Sequence, residues 1–356
     1  MRFFVFAAFL LQSFPTSHVW ADVRENRILL NARESYIVPA YRHLAETTRG
    51  LSAEISSLCD MPRASRLSNA KAAFHQTVEA WSSIEWFRSG PVLQNDRVER
   101  FFHFPDRNSR GLRQVQSALA SQKSDVLDLG ELQRNSVALQ GLGALDFILF
   151  GKGAETLAAG NAFRCRFAGA IGENLYHISA NVLAAWERDE GLRLDWTLPN
   201  HSNRFFRTEK EAMNAVIGTL VHGLEAIRDT RINVFLRENT RRDRPKSAAL
   251  WRSGATMRSV AANLEGLEKL FTQSQIETIL PDEAHYLGDN IRFEFEQSIK
   301  TARELDSPVA DLLSDPKQRA KIEYLRLAID FLLDRLNAEF APAAGLATGF
   351  SFGDGD

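Results

Sequence analysis

Residues 140–151 have the sequence QGLGALDFILFG, and its apolar side chains are spaced as in a helix. Leu142, Leu145, Ile148 and Leu149 recur at intervals of three and four residues, which places them on one helix face. The same spacing recurs along almost the whole chain, and no stretch alternates with a period of two. The sequence therefore predicts an all-α protein.

Prolines and most glycine pairs fall between the periodic segments and mark their ends. We predict helices over roughly residues 22–58, 67–88, 109–120, 130–150, 155–188, 207–239, 254–272, 279–305 and 317–341. Short connections between helices imply antiparallel neighbours, so the helices should form bundles.

A weak internal repeat predicts that the bundles form two related halves. Residues 138–145, ALQGLGAL, can be laid over residues 220–227, LVHGLEAI, although chance similarity between apolar helices is an alternative. Glycine inside a helix costs about 1 kcal/mol relative to alanine, so each Gly-Leu pair indicates a close approach of two helices. We predict an N-terminal helical bundle over residues 22–190 and a C-terminal helical bundle over residues 206–341. An aperiodic linker, residues 191–205, would join them, and a glycine-rich tail, residues 342–356, would follow.

The N-terminus has the pattern of a secretory signal peptide, residues 1–21. A positive start, Met1-Arg2, precedes an apolar run, and Val19-Trp20-Ala21 supplies the small-x-small cleavage pattern. The apolar run is far shorter than the roughly 20 residues that span a bilayer, and nothing downstream approaches that length. We expect a periplasmic or cell-envelope protein with no transmembrane segment after cleavage; an uncleaved anchor is the alternative.

Composition excludes some functions. The formal net charge of −2 argues against general nucleic-acid binding. No G-x-S-x-G, HExxH, phosphate-binding glycine loop or dinucleotide fingerprint is present, so no motif indicates a hydrolase or a nucleotide-dependent enzyme. The two cysteines, Cys59 and Cys165, fit either a disulfide or two separate buried thiols.

Residues 97–116, RVERFFHFPDRNSRGLRQVQ, interleave arginines with aromatic side chains. Pro105 removes a backbone donor and should turn the chain here. Irregular backbone with guanidinium groups favours ligand binding, and a loop that only forms internal ion pairs is the alternative. The candidate ligand-binding residues in this segment are Arg97, Arg100, Asp106 and Arg110.

Two acids lie inside apolar helical segments, where a carboxylate needs a partner. For Glu85, the nearest candidate partners in sequence are the arginines of residues 97–113. Asp146 should also be paired with an arginine, and a purely architectural ion pair is the alternative to a ligand site. We predict that both acids and the arginine segment meet at a cleft between the halves.

Two further pairs place an imidazole and a carboxylate one helical turn apart. His43-x-x-Glu46 and His222-x-x-Glu225 have a spacing that metal sites in helical bundles use. Ion pairing along a helix explains the same spacing.

Taken together, these features resemble the imelysin family, in particular its exported imelysin-like branch in Gram-negative bacteria. Five features carry the resemblance. The first is the helix of Trp81, which leads to Gly90-Pro91, and the next two are residues 97–116 and residues 140–151. The last two are WRSG at residues 251–254, with the AANLEGLEKLF that follows it, and the tail GLATGFSFGDGD. It covers nearly the whole mature chain in order. It implies an all-helical fold with two duplicated halves, export, a link to iron acquisition, and relatives that include metallopeptidases.

The GxHxxE motif of that family falls on residues 141–146. Gly141 fits, but Gly143 stands at the histidine position and Asp146 at the glutamate position. Zinc or iron held by such a motif would lose its nitrogen ligand. We therefore expect a non-catalytic protein that binds a small anionic or chelated-metal ligand, or an envelope protein, within an iron-uptake system. A metallopeptidase that uses His222 and Glu225 with iron or zinc, and a structural envelope protein, remain alternatives.

Overall fold

The computed structural model describes the backbone of residues 17–348 and the side chains of residues 24–348, and no strand occurs among them. The predicted all-α class is thus confirmed. Residues 1–16 of the predicted signal peptide and residues 349–356 of the predicted tail lie outside the described residues.

Residues 17–197 of the described chain form nine α-helices. They are α1 (Ser17–Asn31), α2 (Val38–Asp60), α3 (Ala64–Ser82), α4 (Arg97–Phe101), α5 (Arg110–Ser121), α6 (Leu129–Arg134), α7 (Leu142–Phe150), α8 (Ala162–Arg188) and α9 (Glu190–Thr197). A π-helical segment, Ala32–Ile37, joins α1 to α2 without a break. Short 3-10 segments occur at Gly90–Asp96, Arg107–Ser109, Ser124–Val126, Val137–Leu139 and Ala154–Ala159.

The remaining described residues form six more α-helices. They are α10 (Glu209–Ala226), α11 (Thr256–Ser274), α12 (Tyr286–Glu304), α13 (Val309–Ser314), α14 (Pro316–Asp334) and α15 (Ala341–Ala343). π-helical segments, Ile227–Ile232 and Arg335–Phe340, extend α10 and α14. Short 3-10 segments occur at Thr240–Arg242, Pro245–Ser247, Ile276–Ile279 and Asp282–Ala284.

Several predicted segments differ from the structure in their bounds, and two of them differ in kind. The helix predicted over residues 130–150 is two helices, α6 and α7, because the chain turns sharply before Gly141. Residues 191–197 of the predicted linker belong to helix α9, which begins at Glu190. The Asp189 carboxylate caps this helix by accepting a hydrogen bond from the Leu192 amide at 3.0 Å. Trp196, one turn after Leu192, is buried and donates a hydrogen bond to the Leu29 carbonyl at 3.0 Å.

The long N-terminal helix contacts both parts of the chain. Its first section, α1 with the π-helical segment, packs on α10 and α11, whereas α2 packs between α3 and α8. Apolar residues from both parts belong to one connected buried cluster. The division into bundles at residues 22–190 and 206–341 stays a prediction.

Cys59 and Cys165 form a disulfide, with their Cα atoms 5.6 Å apart. It connects the end of α2 to α8, which settles the alternative that the sequence left open. None of the helices described over residues 17–348 combines the length and apolarity that crossing a bilayer requires.

Candidate functional site

A cavity of about 470 Å³ brings together charged residues that are distant in the sequence. Three stretches of chain line it: the irregular segment that runs from residue 102 into α5, the start of α7, and the segment between residues 234 and 252. Its charged lining residues are Asp106, Asp146, Arg237, Lys246 and Arg252. Its volume lies in the range that small-molecule sites occupy.

Helix α7 is held at both ends, which fixes the position of Asp146. At its start, a Cβ on Gly141 would lie 2.6 Å from the Arg100 carbonyl oxygen and even closer to that of Phe101, so the two backbones touch. At its end, the buried Arg164 donates to the carbonyls of Ile148, Phe147 and Lys152 at 2.9, 3.0 and 3.0 Å. These bonds satisfy carbonyls that a helix end leaves without partners.

Asp146 is 2% exposed and forms part of the cavity wall. Its Oδ1 accepts a hydrogen bond from the Ser253 amide at 3.1 Å, and its Oδ2 lies 3.8 Å from Nη1 of Arg252. Burial raises the pKa of Asp146 to about 6, and the contacts with Ser253 and Arg252 only partly oppose this effect. The expected arginine partner is therefore present, but as a loose ion pair rather than a direct hydrogen bond.

The segment that carries Arg252 is fixed to the N-terminal part of the chain. The Ser253 carbonyl lies 3.1 Å from Nε2 of His75, whose ring stacks on Phe150. The Arg252 guanidinium lies over the ring of Trp251 at 4.4 Å and over that of Phe147 at 5.4 Å. Burial lowers the pKa of Arg252, against the opposing effect of Asp146. This group therefore stands at the cavity with its flat faces covered by aromatic rings.

Asp106 lines the cavity and also binds the amides at the start of helix α5. Its two carboxylate oxygens accept hydrogen bonds from the amides of Gly111 and Leu112, both at 2.9 Å. The carboxylate thus satisfies amides that the helix start leaves free. Its negative charge is largely committed to this structural role.

The predicted arginines Arg97, Arg100 and Arg110 are not among the cavity-lining residues. In the short helix α4, Val98 and Phe101 take the buried face, so the arginines beside them point elsewhere. Arg97 donates to the Pro91 carbonyl at 2.6 Å, and Arg100 is half-buried. Arg110 is exposed at the start of α5.

Glu85 also lies away from the cavity lining, and its partner is not an arginine of residues 97–113. Arg231, in the π-helical segment after α10, forms a buried ion pair with Glu85, and each side chain is 2% exposed. Asn263 of α11 donates to the second carboxylate oxygen at 3.1 Å. Burial lowers the pKa of Arg231, and the Glu85 carboxylate opposes this shift.

Three aromatic rings surround the Arg231 guanidinium. The ring centroids of Phe104, Trp86 and Phe102 lie 4.9, 5.1 and 5.3 Å from it. Phe102 and Phe104 stack on each other at 5.7 Å and line the cavity. The buried ion pair therefore supports the aromatic part of the cavity wall from behind.

The comparisons with known proteins fit this architecture. The family model described as Peptidase_M75, Imelysin, matches residues 37–336. This chain belongs to the imelysin family. An imelysin-like protein from Psychrobacter arcticum 273-4 has a similar structure, with a TM-score of 0.73 and 16% identity over 92% of this chain and 98% of that one. A protein described as an iron-regulated protein A precursor from Parabacteroides distasonis ATCC 8503 superposes with a TM-score of 0.69 and 10% identity, over 92% of this chain and 96% of that one. No curated protein matches the sequence significantly.

Sequence reasoning missed the cations that line the cavity of this imelysin-family protein. Arg237 lies within the helix predicted over residues 207–239, whereas Lys246 belongs to the charged stretch RRDRPKS, residues 241–247, which the sequence presents as a surface loop, and Arg252 follows Trp251. Basic residues close to a tryptophan and a short apolar run were the only local signal. Nothing in the sequence tells which part of the N-terminal half they face.

The imelysin motif window does not fit a zinc or iron site here. Gly143 offers no ligand atom, and the guanidinium of Arg252 beside Asp146 would repel a cation. Across residues 24–348, no group of three or more His, Cys, Asp and Glu side chains could hold a metal ion. His222 and Glu225 do meet, with Nδ1 3.1 Å from Oε2.

We expect the Glu85–Arg231 pair to be essential for stability. Glu85→Gln or Arg231→Met alone leaves a buried charge without its partner and should lower the free energy of unfolding by about 3–5 kcal/mol. In the double variant, the loss of unfolding free energy should be much smaller than the sum of the losses in the two single variants. Urea unfolding of the four proteins measures this coupling.

The surface pair of Arg42 and Glu187 provides the control, since these side chains are 51% and 30% exposed. Its disruption should cost less than about 1 kcal/mol. Additive, small effects at Glu85 and Arg231 would contradict a coupled buried pair.

The two motif glycines should respond differently to alanine. Gly141→Ala would push a methyl group into the backbone of residues 100–101 and should lower the melting temperature and disturb the cavity. Gly143→Ala should be neutral or stabilising by up to about 1 kcal/mol, because it lies in α7 and the nearest atom would be 3.9 Å away. Thermal unfolding compares them, and equal melting temperatures would rule out the close approach at Gly141.

Proposed function

We propose that this protein is an exported binding protein that holds a small polycarboxylate, free or as a ferric chelate, and is not a hydrolase. The observation that carries the proposal is the set of three cations, Arg237, Lys246 and Arg252, around one cavity of about 470 Å³.

The balance of charge at the cavity favours an anion. Its two carboxylates are already engaged, Asp106 with helix amides and Asp146 with the Ser253 amide and Arg252. Among the described residues Lys246 forms no ion pair, and the Arg237 guanidinium forms none either but donates a hydrogen bond to the Val234 carbonyl at 3.3 Å. Three cations against two engaged carboxylates give the lining a net positive charge, which raises the local concentration of an anionic ligand.

The types of residue favour carboxylate groups in particular. Guanidinium forks bind carboxylates through two parallel hydrogen bonds, and Arg252 is already oriented by the rings of Trp251 and Phe147. The rings of Phe102 and Phe104 supply apolar surface for the carbon skeleton of the ligand. A small organic acid with several carboxylates matches both features.

Export and the iron link rest on separate observations. The N-terminal pattern of residues 1–21 supports a signal peptide, and the Cys59–Cys165 disulfide supports an oxidising compartment such as the periplasm. A structural neighbour is described as an iron-regulated precursor. A ferric polycarboxylate as the ligand would account for both the iron link and the anion-binding cavity of this chain.

Citrate and ferric citrate test the proposal by isothermal titration calorimetry. We expect binding by the wild-type protein and at least a tenfold loss of affinity, about 1.4 kcal/mol, in Arg252→Ala and in Lys246→Ala. Arg110→Ala is the control, because it removes an exposed arginine outside the cavity. Absence of binding to both ligands, or an equal loss in Arg110→Ala, would overturn the proposal.

Binding should strengthen as the pH falls through about 6, the pKa of Asp146. Above this pH the carboxylate is charged, repels the anion and holds Arg252. Below it, the neutral acid leaves Arg252 free for the ligand. Calorimetric titrations at pH 7.5 and 5.5 should show a larger increase in citrate affinity at the lower pH for the wild type than for Asp146→Asn. The variant is the control for protonation of the citrate itself. An identical pH dependence in both proteins would contradict a role for Asp146.

A further inference from the structure

A second hollow, of about 420 Å³, lies next to the cavity and shares Arg237 with it. Its other charged lining residues are Arg242, Arg326 and Glu238. These residues come from the turn after the π-helical segment Ile227–Ile232, from the 3-10 segment Thr240–Arg242, and from α14. Three guanidinium groups from separate elements thus meet one open depression.

These arginines differ from most others in this part of the chain, which are paired with acids. Arg228, Arg258, Arg292, Arg303, Arg319 and Arg335 all form ion pairs with aspartate or glutamate. Among the described residues from 228 to 335, the arginines without an ion pair are Arg237, Arg241, Arg242, Arg244 and Arg326.

Three of these five line the second hollow, although like charges close together repel each other. The acids nearby are committed elsewhere. Asp243 binds Arg319 and the Arg237 amide, and Glu323 binds Arg319. Glu238, the acid in the lining, forms no ion pair among the described residues, and one carboxylate against three guanidinium groups leaves the formal charge of the lining positive.

We propose that the second hollow binds a phosphate group. A phosphate presents several oxygens in a tetrahedral arrangement and can accept hydrogen bonds from guanidinium forks that approach from different directions, whereas a planar carboxylate has only two oxygens. Two side-chain amides also line the hollow: that of Asn233 already donates to Asp229 at 3.0 Å, and the Asn239 amide adds a neutral donor.

The bound group is either free inorganic phosphate or the headgroup of an anionic phospholipid at a membrane surface. Both present the same phosphate oxygens to Arg242 and Arg326. This site is separate from the proposed carboxylate cavity, because Arg242 and Arg326 do not line that cavity and Arg252 does not line this hollow.

The test uses the full mature protein at low ionic strength, where screening is weak. Binding of inorganic phosphate is measured by calorimetry. Binding to phosphatidylcholine vesicles with and without phosphatidic acid is measured by co-sedimentation. The wild type should bind inorganic phosphate or the vesicles that contain phosphatidic acid. We expect the double variant, Arg242→Ala with Arg326→Ala, to lose at least tenfold of that affinity, about 1.4 kcal/mol.

The matched control is Arg241→Ala with Lys317→Ala, which removes the same charge from exposed positions outside the hollow. The control and Arg252→Ala should both keep the phosphate affinity of the wild type, and urea unfolding should show that all variants are folded. Binding of free phosphate assigns the free anion, and selective binding to phosphatidic acid vesicles alone assigns the lipid headgroup. The inference is overturned if the wild type binds neither, or if the control loses as much affinity as the Arg242 and Arg326 variant.

Discussion

The buried ion pair between Glu85 and Arg231 is the constraint on which the rest of the structure depends. It joins the turn after α3 to the π-helical segment after α10, and both side chains are almost completely removed from solvent. Because an unpaired charge at this depth is very unfavourable, the two parts of the chain cannot separate here without a large cost. The Arg231 guanidinium also lies against the rings of Phe102 and Phe104, so the buried ion pair directly contacts the aromatic wall of the cavity.

The two glycines of residues 141–146 have different structural roles in this chain. Gly141 is explained by the backbone contact with residues 100–101, which does not depend on any ligand. Gly143 leaves open space at the cavity where an imidazole would stand, and Arg252 occupies the surroundings of Asp146. A cation beside the carboxylate suits anions, whereas a metal site needs additional ligand atoms at the same place.

The charged segment of residues 241–247 lies between the two hollows and contributes to both. Lys246 lines the cavity and Arg242 lines the second hollow, while Asp243 between them binds the buried Arg319. This ion pair anchors an otherwise exposed loop to α14. The cations on either side of it are therefore held in position by a buried contact rather than by the loop itself.

The sequence by itself determined the helical class, the difference at Gly143 and the need of Glu85 and Asp146 for partners, because helical periodicity and the cost of a buried charge act within a few residues. It placed Asp106, Gly141 and Asp146 in segments that do line the cavity. Only the tertiary structure decided that Arg231, 146 residues away, pairs with Glu85, and that Arg252 and not Arg100 faces Asp146. The disulfide between Cys59 and Cys165, 106 residues apart, was decided in the same way. Such pairings depend on how whole helices pack, and neighbours in sequence contain no information about which distant side chain will fill a given space.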